Sequence, residues 1–397
     1  MLEQIKKISG LYGSFVNDEL FLNKIKAKQQ ELNISDKELN IFVNDYKNVN
    51  YDEMNIEKFY CFQHFCLFNN DFGKYIFENY ILNFKFLDIL HKYENIVYFV
   101  KKLCKKDKRK ILTDKLLLYL SFFVKIEELD ISWNDKITNE CIKNIPLRIL
   151  NCSGRNSNIT DYGIEYMKLH TLYCCDNNGI TDYGISHLNL HTLYCGGNKN
   201  ITNESIKCMQ LHTLNCCEND NITDEGISHM IQLHTLYCNK NITDNGIIQM
   251  KQLQNLDCSY NDNITNKGIN HMQLNSLNCY LCNKITDEGI AHMKQLHTLI
   301  CNCNITDKGI ENMQLSILDC RHNNNITNRG IAHMQLRKLD CSGWDNKITN
   351  EGITHMQLHT LKCNFNHNIT DKGIANMKLH ILEYRYNNKI MHKTIYD

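Results

Sequence analysis

Residues 169–188 read LHTLYCCDNNGITDYGISHL, and variants of this stretch fill the chain from residue 126 onward. In its first half, Leu172 and Cys174 alternate with residues of other types, which is the period-two pattern of a short strand with one buried face. In its second half, Thr181 and Asp182 are residue types that open helices. Each copy therefore predicts a short strand followed by a helix of about two turns, packed back on the strand.

The copies recur with a nearly fixed period. The dipeptide Ile-Thr begins at positions 137, 159, 180, 201, 222, 242, 264, 285, 305, 326, 348 and 369, so every interval is 20, 21 or 22 residues. Interleaved with it, the pattern L-x-x-L-x-C-x-x-N or a variant can be counted thirteen times. A period of this length with this signature is the leucine-rich repeat. Because one repeat cannot bury its own apolar face, the copies must stack, and we predict an α/β leucine-rich-repeat solenoid with a parallel concave sheet and short convex helices.

The chain divides into two parts by composition. Fourteen of its 15 Phe lie in the first 123 residues, where apolar residues such as Phe59, Phe62 and Phe65 recur at helical spacing. We predict an α-helical N-terminal domain over residues 1–122 that caps the first repeat, and a solenoid of about 13 coils over residues 123–397. The far end departs from the pattern, because Tyr384 replaces Cys and Met391 replaces Thr. We therefore expect this end to be frayed or held by a partner.

Composition also limits the class of protein. Lys+Arg and Asp+Glu both number 44, and this zero net charge argues against a surface devoted to nucleic acid. The run 101–110 has seven basic residues and is either a solvated linker or a localisation or nucleic-acid patch. No apolar run approaches the roughly 20 residues of a membrane helix, and the N-terminus lacks the pattern of a secretory signal. We expect an intracellular protein, in cytoplasm or nucleus, whose 20 cysteines stay reduced.

Two repeated positions have a structural interpretation. The Cys of each copy replaces the usual Leu as a small apolar core residue. The Asn three positions later can satisfy loop backbone groups, which predicts a stacked structural column containing Asn177, Asn198, Asn219, Asn261, Asn323 and Asn366. Counted in the same way, Arg155, Cys282 and Trp344 are departures from this column. The Gly in ten of the twelve I-T-[D/N]-x-G-I segments predicts close backbone approach.

The candidate partner-binding residues lie between the second Leu and the Cys of each copy, on the predicted concave face. Tyr173, Tyr194 and Tyr237 form a cluster, and exposed tyrosines on a rigid sheet are favourable anchors for a protein partner. Further along the same column the charge is mixed, and we include Asp257, Asp319 and Asp340. The alternative is that these side chains only pair across strands on a solvated face. Trp344, beside Asp345, marks either an exposed binding spot or simple drift of the repeat.

The histidines and cysteines recur at spacings that resemble metal sites. Seven His follow the first Leu of a copy and six precede the Met or its substitute, so repeated copying explains both columns. Cys279-x-x-Cys282 resembles half of a zinc or redox motif, but the repeat places both residues at regular positions. The stacked core cysteines lie in register on parallel strands, which disfavours disulfides. We expect no metal, no cofactor and no catalytic residues, and hence no enzymatic activity.

The phrase L-x-x-L-x-C-x-x-[N/C]-x-x-I-T-D-x-G-I resembles the cysteine-containing subclass of leucine-rich repeats, over residues 126–390. That subclass is best known from F-box proteins that recognise substrates for ubiquitin ligases. The resemblance implies a protein-binding surface, the substrate-recognition subunit of an SCF-type ligase, and Skp1-type and cullin-type partners. The regular, Asn- and Ile-rich form is also similar to leucine-rich-repeat proteins of giant DNA viruses. The alternative is therefore a viral host-interaction or structural protein with no ligase link, located in the host cell.

Overall fold

The computed structural model describes residues 112–114, 117 and 126–391. The predicted α-helical domain over residues 1–122, its capping of the first repeat and the basic run 101–110 lie almost entirely outside these residues. Residues 392–397 lie outside them as well. The fold described below is that of the repeats.

Thirteen strands of three residues each form one parallel sheet in which the strand order follows the chain. Each central Leu lies opposite the central Leu of the next strand, as Leu172 lies opposite Leu193. The predicted parallel sheet of a leucine-rich-repeat solenoid is thus confirmed. The strands are β1 (Glu128–Asp130), β2 (Ile149–Asn151), β3 (Thr171–Tyr173), β4 (Thr192–Tyr194), β5 (Thr213–Asn215), β6 (Thr235–Tyr237), β7 (Asn255–Asp257), β8 (Ser276–Asn278), β9 (Thr298–Ile300), β10 (Ile317–Asp319), β11 (Lys338–Asp340), β12 (Thr360–Lys362) and β13 (Ile381–Glu383). We number each coil of the solenoid after its strand.

One short helix lies between each pair of successive strands. The helices are α1 (Asn139–Ile142), α2 (Asp161–Ile164), α3 (Asp182–Ile185), α4 (Asn203–Ile206), α5 (Asp224–Ile227), α6 (Asp244–Ile247), α7 (Asn266–Ile269), α8 (Asp287–Ile290), α9 (Asp307–Ile310), α10 (Asn328–Ile331), α11 (Asn350–Ile353) and α12 (Asp371–Ile374). The Thr before each helix is its N-cap, and Thr243 accepts a hydrogen bond from the backbone N–H of Asn245.

The prediction of helices of about two turns was wrong, because each helix has four residues. After Ile227 the backbone leaves the α-helical pattern, and the N–H of Met230 donates to the carbonyl of Ile227 at 2.9 Å, only three residues back. This tight turn reverses the chain toward the next strand. A coil of about 21 residues leaves no room for a second helical turn.

The core lies between the sheet and the helices and is built from six repeated apolar side chains, two of which are Leu211 and Ile222 in coil 5. In coil 5, Leu214 and Cys216 come from the strand side, while Ile227 and Met230 come from the helix side, and all four are 0% exposed. Every cysteine in the described part of the chain is a free thiol. The small Cys side chain lets the strand and helix layers approach closely.

A row of buried asparagines runs through the loops after the strands, and we call it the asparagine row. Asn198 donates from Nδ2 to the carbonyls of Asn177 (2.6 Å) and Ile180 (3.0 Å) of the preceding coil. Its Oδ1 accepts from the backbone N–H groups of Asn200 and Ile201 of its own coil. The row therefore ties each loop to its neighbour. Its members are Asn134, Asn177, Asn198, Asn219, Asn239, Asn261, Asn302, Asn323, Asn346, Asn366 and Asn387.

The structure corrects the positions of two supposed departures from this row. Coils 2 and 11 have one extra residue between the core Cys and the Ile-Thr dipeptide. In coil 11 the row is continued by Asn346, which donates to the carbonyl of Cys320 at 3.0 Å, while Trp344 lies outside. In coil 2, Ser157 takes this position and accepts from the N–H of Ile159, while Arg155 is exposed.

Coils 6 and 9 have the opposite irregularity. Their loops are two residues shorter than usual, so the buried asparagines are Asn239 and Asn302, directly after Cys238 and Cys301. Counting three positions forward from Cys would have selected Asn241 and Asn304 instead. The row is positioned by the Ile-Thr dipeptide that follows, since the asparagine Oδ1 caps the backbone leading into that dipeptide.

Candidate protein-interaction surfaces

Three tyrosines lie side by side on the solvent face of the sheet, and we call them the tyrosine row. Tyr173 and Tyr194 are register partners on β3 and β4, with ring centroids 4.6 Å apart. Tyr237 on β6 lies 5.9 Å from Tyr194, reaching across Asn215 on β5. All three are half-buried. The structure therefore brings together three residues that the sequence placed in one column.

Burial disfavours ionisation of two members of the tyrosine row, Tyr173 and Tyr194. It is the largest cause that raises the pKa of both Tyr173 and Tyr194 above the usual value of a phenol. The hydroxyls of Tyr173 and Tyr194 stay protonated at neutral pH, as an ordinary phenol does, and can donate a hydrogen bond while their rings stay packed on the sheet. The rings, held by neighbours, have little side-chain freedom left to lose when a partner binds.

Each of the three candidate aspartates accepts a hydrogen bond within its own loop. Asp257, Asp319 and Asp340 each accept from the backbone N–H two residues later, and this bond turns the chain at the end of the strand. Asp319 is buried and also forms a salt bridge with Arg321. Burial and the neighbouring Asp319 raise the pKa of Asp340. Their contact with a partner remains a prediction.

A second cluster of rings, the aromatic patch, contains Trp344, Phe365, His367 and Tyr386. Trp344 is 66% exposed, with its ring centroid 5.1 Å from that of Phe365 and 5.2 Å from that of His367. Phe365 in turn stacks on Tyr386 at 4.7 Å with an interplanar angle of 13°. The sequence left open whether Trp344 is a binding spot or drift of the repeat; the structure places it at the start of a row of ring contacts across coils 11–13.

The backbone explains where this patch forms. The second residue after the core position takes a left-handed conformation, with φ of 61° at Phe365 and 58° at Tyr386. Gly occupies this position at Gly343, with φ of 130°. A side chain larger than Gly costs about 1 kcal/mol or more in this conformation. Phe365, His367 and Tyr386 were not predicted from the sequence, although Phe365 and Tyr386 fall in one column when the copies are aligned on the core position.

The histidines that follow the first Leu of each copy lie just before the strands, and their rings stack from one coil to the next. In the histidine stack of coils 3–6, centroid distances are 4.6 Å for His170–His191, 4.5 Å for His191–His212 and 3.9 Å for His212–His234. Across the described residues, no three His, Cys, Asp or Glu side chains come together as a potential metal site. Cys279 and Cys282 are both buried, and the thiol of Cys282 donates to the carbonyl of Cys258 at 2.6 Å.

None of the helices in the described part of the chain is long and apolar enough to cross a membrane.

Comparison with known proteins supports the fold. No family model and no curated protein matches the sequence. Among solved structures, the chain is similar to one from the crystal structure of the Rad7 and Elc1 complex in yeast, with a TM-score of 0.56 and 16% identity over 80% of this chain and 90% of that one. It also resembles an internalin from Listeria monocytogenes, with a TM-score of 0.40 and 22% identity over 75% and 90% of the two chains. A leucine-rich-repeat protein from Leptospira interrogans gives 0.41 and 18% over 68% and 80%. Together with the repeat geometry, the first of these likenesses shows that the chain has a leucine-rich-repeat fold.

Proposed function

We propose that the protein is a binding scaffold that holds a protein partner against the tyrosine row. The observation that carries this proposal is the spacing of the three rings, 4.6 Å and 5.9 Å, on a face of the sheet that no described residue covers with a second layer. Tyrosine supplies a large contact area together with a hydroxyl donor, and such residues dominate the energetics of many interfaces. The proposal includes no catalytic function.

The finer form of the proposal is the substrate-recognition subunit of an SCF-type ubiquitin ligase. Its support is the resemblance of the repeats to the cysteine-containing subclass, together with a fold like that of a chain crystallised in a complex of two proteins, Rad7 and Elc1. In this form, residues 1–122 contact Skp1-type and cullin-type subunits, and the tyrosine row contacts the substrate. A viral host-interaction or structural protein would use the row without such subunits.

The test replaces all three tyrosines of the row with Ala and compares the proteins captured by affinity purification and mass spectrometry. The chain provides a matched control in Tyr162, Tyr166 and Tyr183, which are on the helix side of the solenoid and at least half exposed. Changing those three to Ala removes the same number of phenol rings from a different face of the solenoid. Thermal unfolding of both triple variants establishes that each one folds.

The expected result is loss of the captured partner from the row variant and its retention by the helix-side variant. For an identified partner, Kd should rise at least about a hundredfold, since single aromatic anchors often contribute about 2 kcal/mol or more. Equal capture by both folded variants would reject the tyrosine row as the binding surface.

The ligase form has a separate readout. The full-length protein should co-purify with Skp1-type and cullin-type subunits, and this capture should survive in the row variant because different residues are involved. Capture of other proteins without those subunits would reject the ligase form and leave the binding scaffold in place.

A further inference from the structure

Coils 8–10 show how this solenoid holds a guanidinium group. The guanidinium carbon of Arg321 lies 5.5 Å from the ring centroid of Tyr280. On its other contact, Nε of Arg321 donates to the two carboxylate oxygens of Asp319 at 3.0 Å and 2.9 Å. A guanidinium suits both neighbours because it is planar and weakly hydrated, so it can stack on a ring while it pairs with a carboxylate.

Coils 6 and 7 present a tyrosine and an aspartate of this kind without an arginine. Tyr237 on β6 and Asp257 on β7 are register partners, so about one strand spacing of 4.8 Å separates their backbones. Tyr194 approaches the ring of Tyr237 at 5.9 Å from the side of β4. Within the described part of the chain, no other ring and no cationic side chain lies against the ring of Tyr237.

The carboxylate of Asp257 is bound by neutral donors only. It accepts from the N–H of Ser259 at 3.0 Å, from the hydroxyl of Ser259 at 2.7 Å and from Nδ2 of Asn278 at 2.8 Å. Among residues 126–391, no Lys, Arg or His forms an ion pair with it. Because a carboxylate can accept about four hydrogen bonds, Asp257 has room for one more donor, and a cationic donor would supply the missing charge.

The charges of the surrounding sheet have one sign. At the first and third positions of strands β1–β9, carboxylates occur at Glu128, Asp130 and Asp257, whereas Lys and Arg occur at none of these positions. Lys338 on β11 is the first basic residue at either position. The tyrosine row therefore lies on a face that is complementary in charge to a cationic partner.

We propose that the partner segment held by the tyrosine row carries an arginine, whose guanidinium stacks on Tyr237 and pairs with Asp257. This inference rests on the proposed function and adds the chemistry of the partner. A second copy docked through the same face would supply no arginine, since a two-fold contact brings identical surfaces together. The chain's own basic run 101–110 has six Lys and one Arg, and the ammonium group of Lys is strongly hydrated and lacks the plane that stacks on a ring.

The probes are three fluorescein-labelled peptides: hexa-arginine, hexalysine, which has the same charge without the plane, and hexacitrulline, which has the same shape without the charge. Anisotropy with the full-length protein is measured at pH 8, where an ordinary imidazole is uncharged. Hexa-arginine should show saturable binding. Hexalysine should bind at least about threefold more weakly and hexacitrulline at least about tenfold more weakly. Equal affinity for hexa-arginine and hexalysine, or no binding of hexa-arginine, would overturn the inference.

The variants are Asp257→Asn and Tyr237→Leu, each compared by its melting temperature and its affinity for hexa-arginine. We expect both to weaken binding at least about fivefold, whereas Tyr237→Phe, which keeps the ring, should change it by less than about twofold. Asp340→Asn is the matched control, because Asp340 has the same strand position in coil 11 and also accepts from the N–H two residues later. Equal weakening by Asp257→Asn and Asp340→Asn would reduce the effect to net charge and contradict the proposal.

Two measurements test the other possible occupants. Replacing the seven basic residues of the run 101–110 with Gln should leave the affinity for hexa-arginine within about twofold. A rise of about tenfold would assign the face to that run. Sedimentation of the wild type should show no self-association that hexa-arginine reverses, since such behaviour would assign the face to a second copy. Either assignment would overturn the arginine inference.

Capture of the partner separates this inference from the proposed function. In the affinity purification described above, Asp257→Asn should lose the partner that the triple tyrosine variant loses. A partner retained by Asp257→Asn and lost by the triple variant would refute the arginine contact and leave the binding scaffold in place. Retention by both variants would reject the tyrosine row itself, and the arginine contact with it.

Discussion

The side-chain amide of Asn266 occupies the space that the missing side chain of Gly289 leaves open. A Cβ on Gly289 would lie 2.5 Å from Oδ1 of Asn266 and 3.1 Å from its Cγ. That amide accepts from the N–H of Thr286 at 2.9 Å and donates to its hydroxyl at 2.7 Å. Gly289 therefore makes room for Asn266 of the preceding coil. Asn266 in turn holds Thr286, the N-cap of the helix that contains Gly289.

Gly289→Ala should lower the free energy of unfolding by about 1–3 kcal/mol, because the added methyl group overlaps the side chain of Asn266, which must then give up its hydrogen bonds to Thr286. Asn266→Ala removes the obstacle, so the cost of Gly289→Ala should be smaller in that background. Urea unfolding of the two single variants and the double variant measures this coupling. Additive costs would show that the two residues do not compete for the same space.

The asparagine row contains one cysteine, Cys282, so the roles of Asn and Cys can be tested by replacing each with the other. Asn261 donates to the carbonyls of Asn239 and Ile242 and accepts from two N–H groups of its own loop, so Asn261→Cys should destabilise the fold by about 1–3 kcal/mol. Cys282 occupies the same row and its thiol reaches the carbonyl of Cys258. Cys282→Asn should raise the melting temperature, since its amide can donate to two carbonyls of coil 7.

The control for this exchange is Asn263→Ala. Asn263 donates to the carbonyl of Lys240 at an exposed position, so its replacement should change stability by less than about 1 kcal/mol. A Cys282→Asn protein less stable than the wild type would show that the thiol packs better at this position than an amide does.

The histidine stack predicts a dependence of stability on pH. Burial is the largest cause that lowers the pKa of His191 and His212, followed by the neighbouring imidazoles. A base whose pKa is lower in the folded state binds fewer protons when folded, so stability falls as the pH drops below about 6.5, the unperturbed value. Replacing both residues with Gln should flatten this fall in the free energy of unfolding.

His297 is the comparison for the stack, since its column neighbours are Asn275 and Ser316, so that no imidazole of the described coils stacks on it. His297→Gln should leave the difference between pH 7 and pH 5 nearly unchanged. If it flattened the profile as much as the double replacement, stacking would not be the origin of the effect.

Thiol reactivity should divide the cysteines by position. Burial raises the pKa of Cys216 and Cys279 to about 12, so their thiolates are scarce at neutral pH and shielded from solvent. Cys208 and Cys303 are exposed. With iodoacetamide at pH 7.5, mass spectrometry should find Cys208 and Cys303 modified in the native protein and the buried pair modified only after unfolding. Comparable native labelling at Cys279 would indicate that the core opens readily.

The amino-acid sequence by itself determined the repeat, the parallel sheet and the columns of core and surface residues. A period of about 21 residues with fixed Leu, Cys and Ile positions leaves few ways to bury the apolar side chains, so Leu172 and Leu193 must become neighbours. The tyrosine row was predictable for the same reason, because its residues occupy one position of the repeat.

Only the tertiary structure decided which residue serves each loop. The number of residues between the core position and the Ile-Thr dipeptide varies from coil to coil. The buried asparagine is the one whose side chain reaches the loop backbone groups, which in coil 11 is Asn346 and not the exposed Trp344. The aromatic patch likewise depends on left-handed backbone at Phe365 and Tyr386, which directs two side chains 21 residues apart onto each other. Periodicity encodes the contacts that every coil shares, whereas the exceptions arise from loop geometry and from hydrogen bonds that exist only once the coils are stacked.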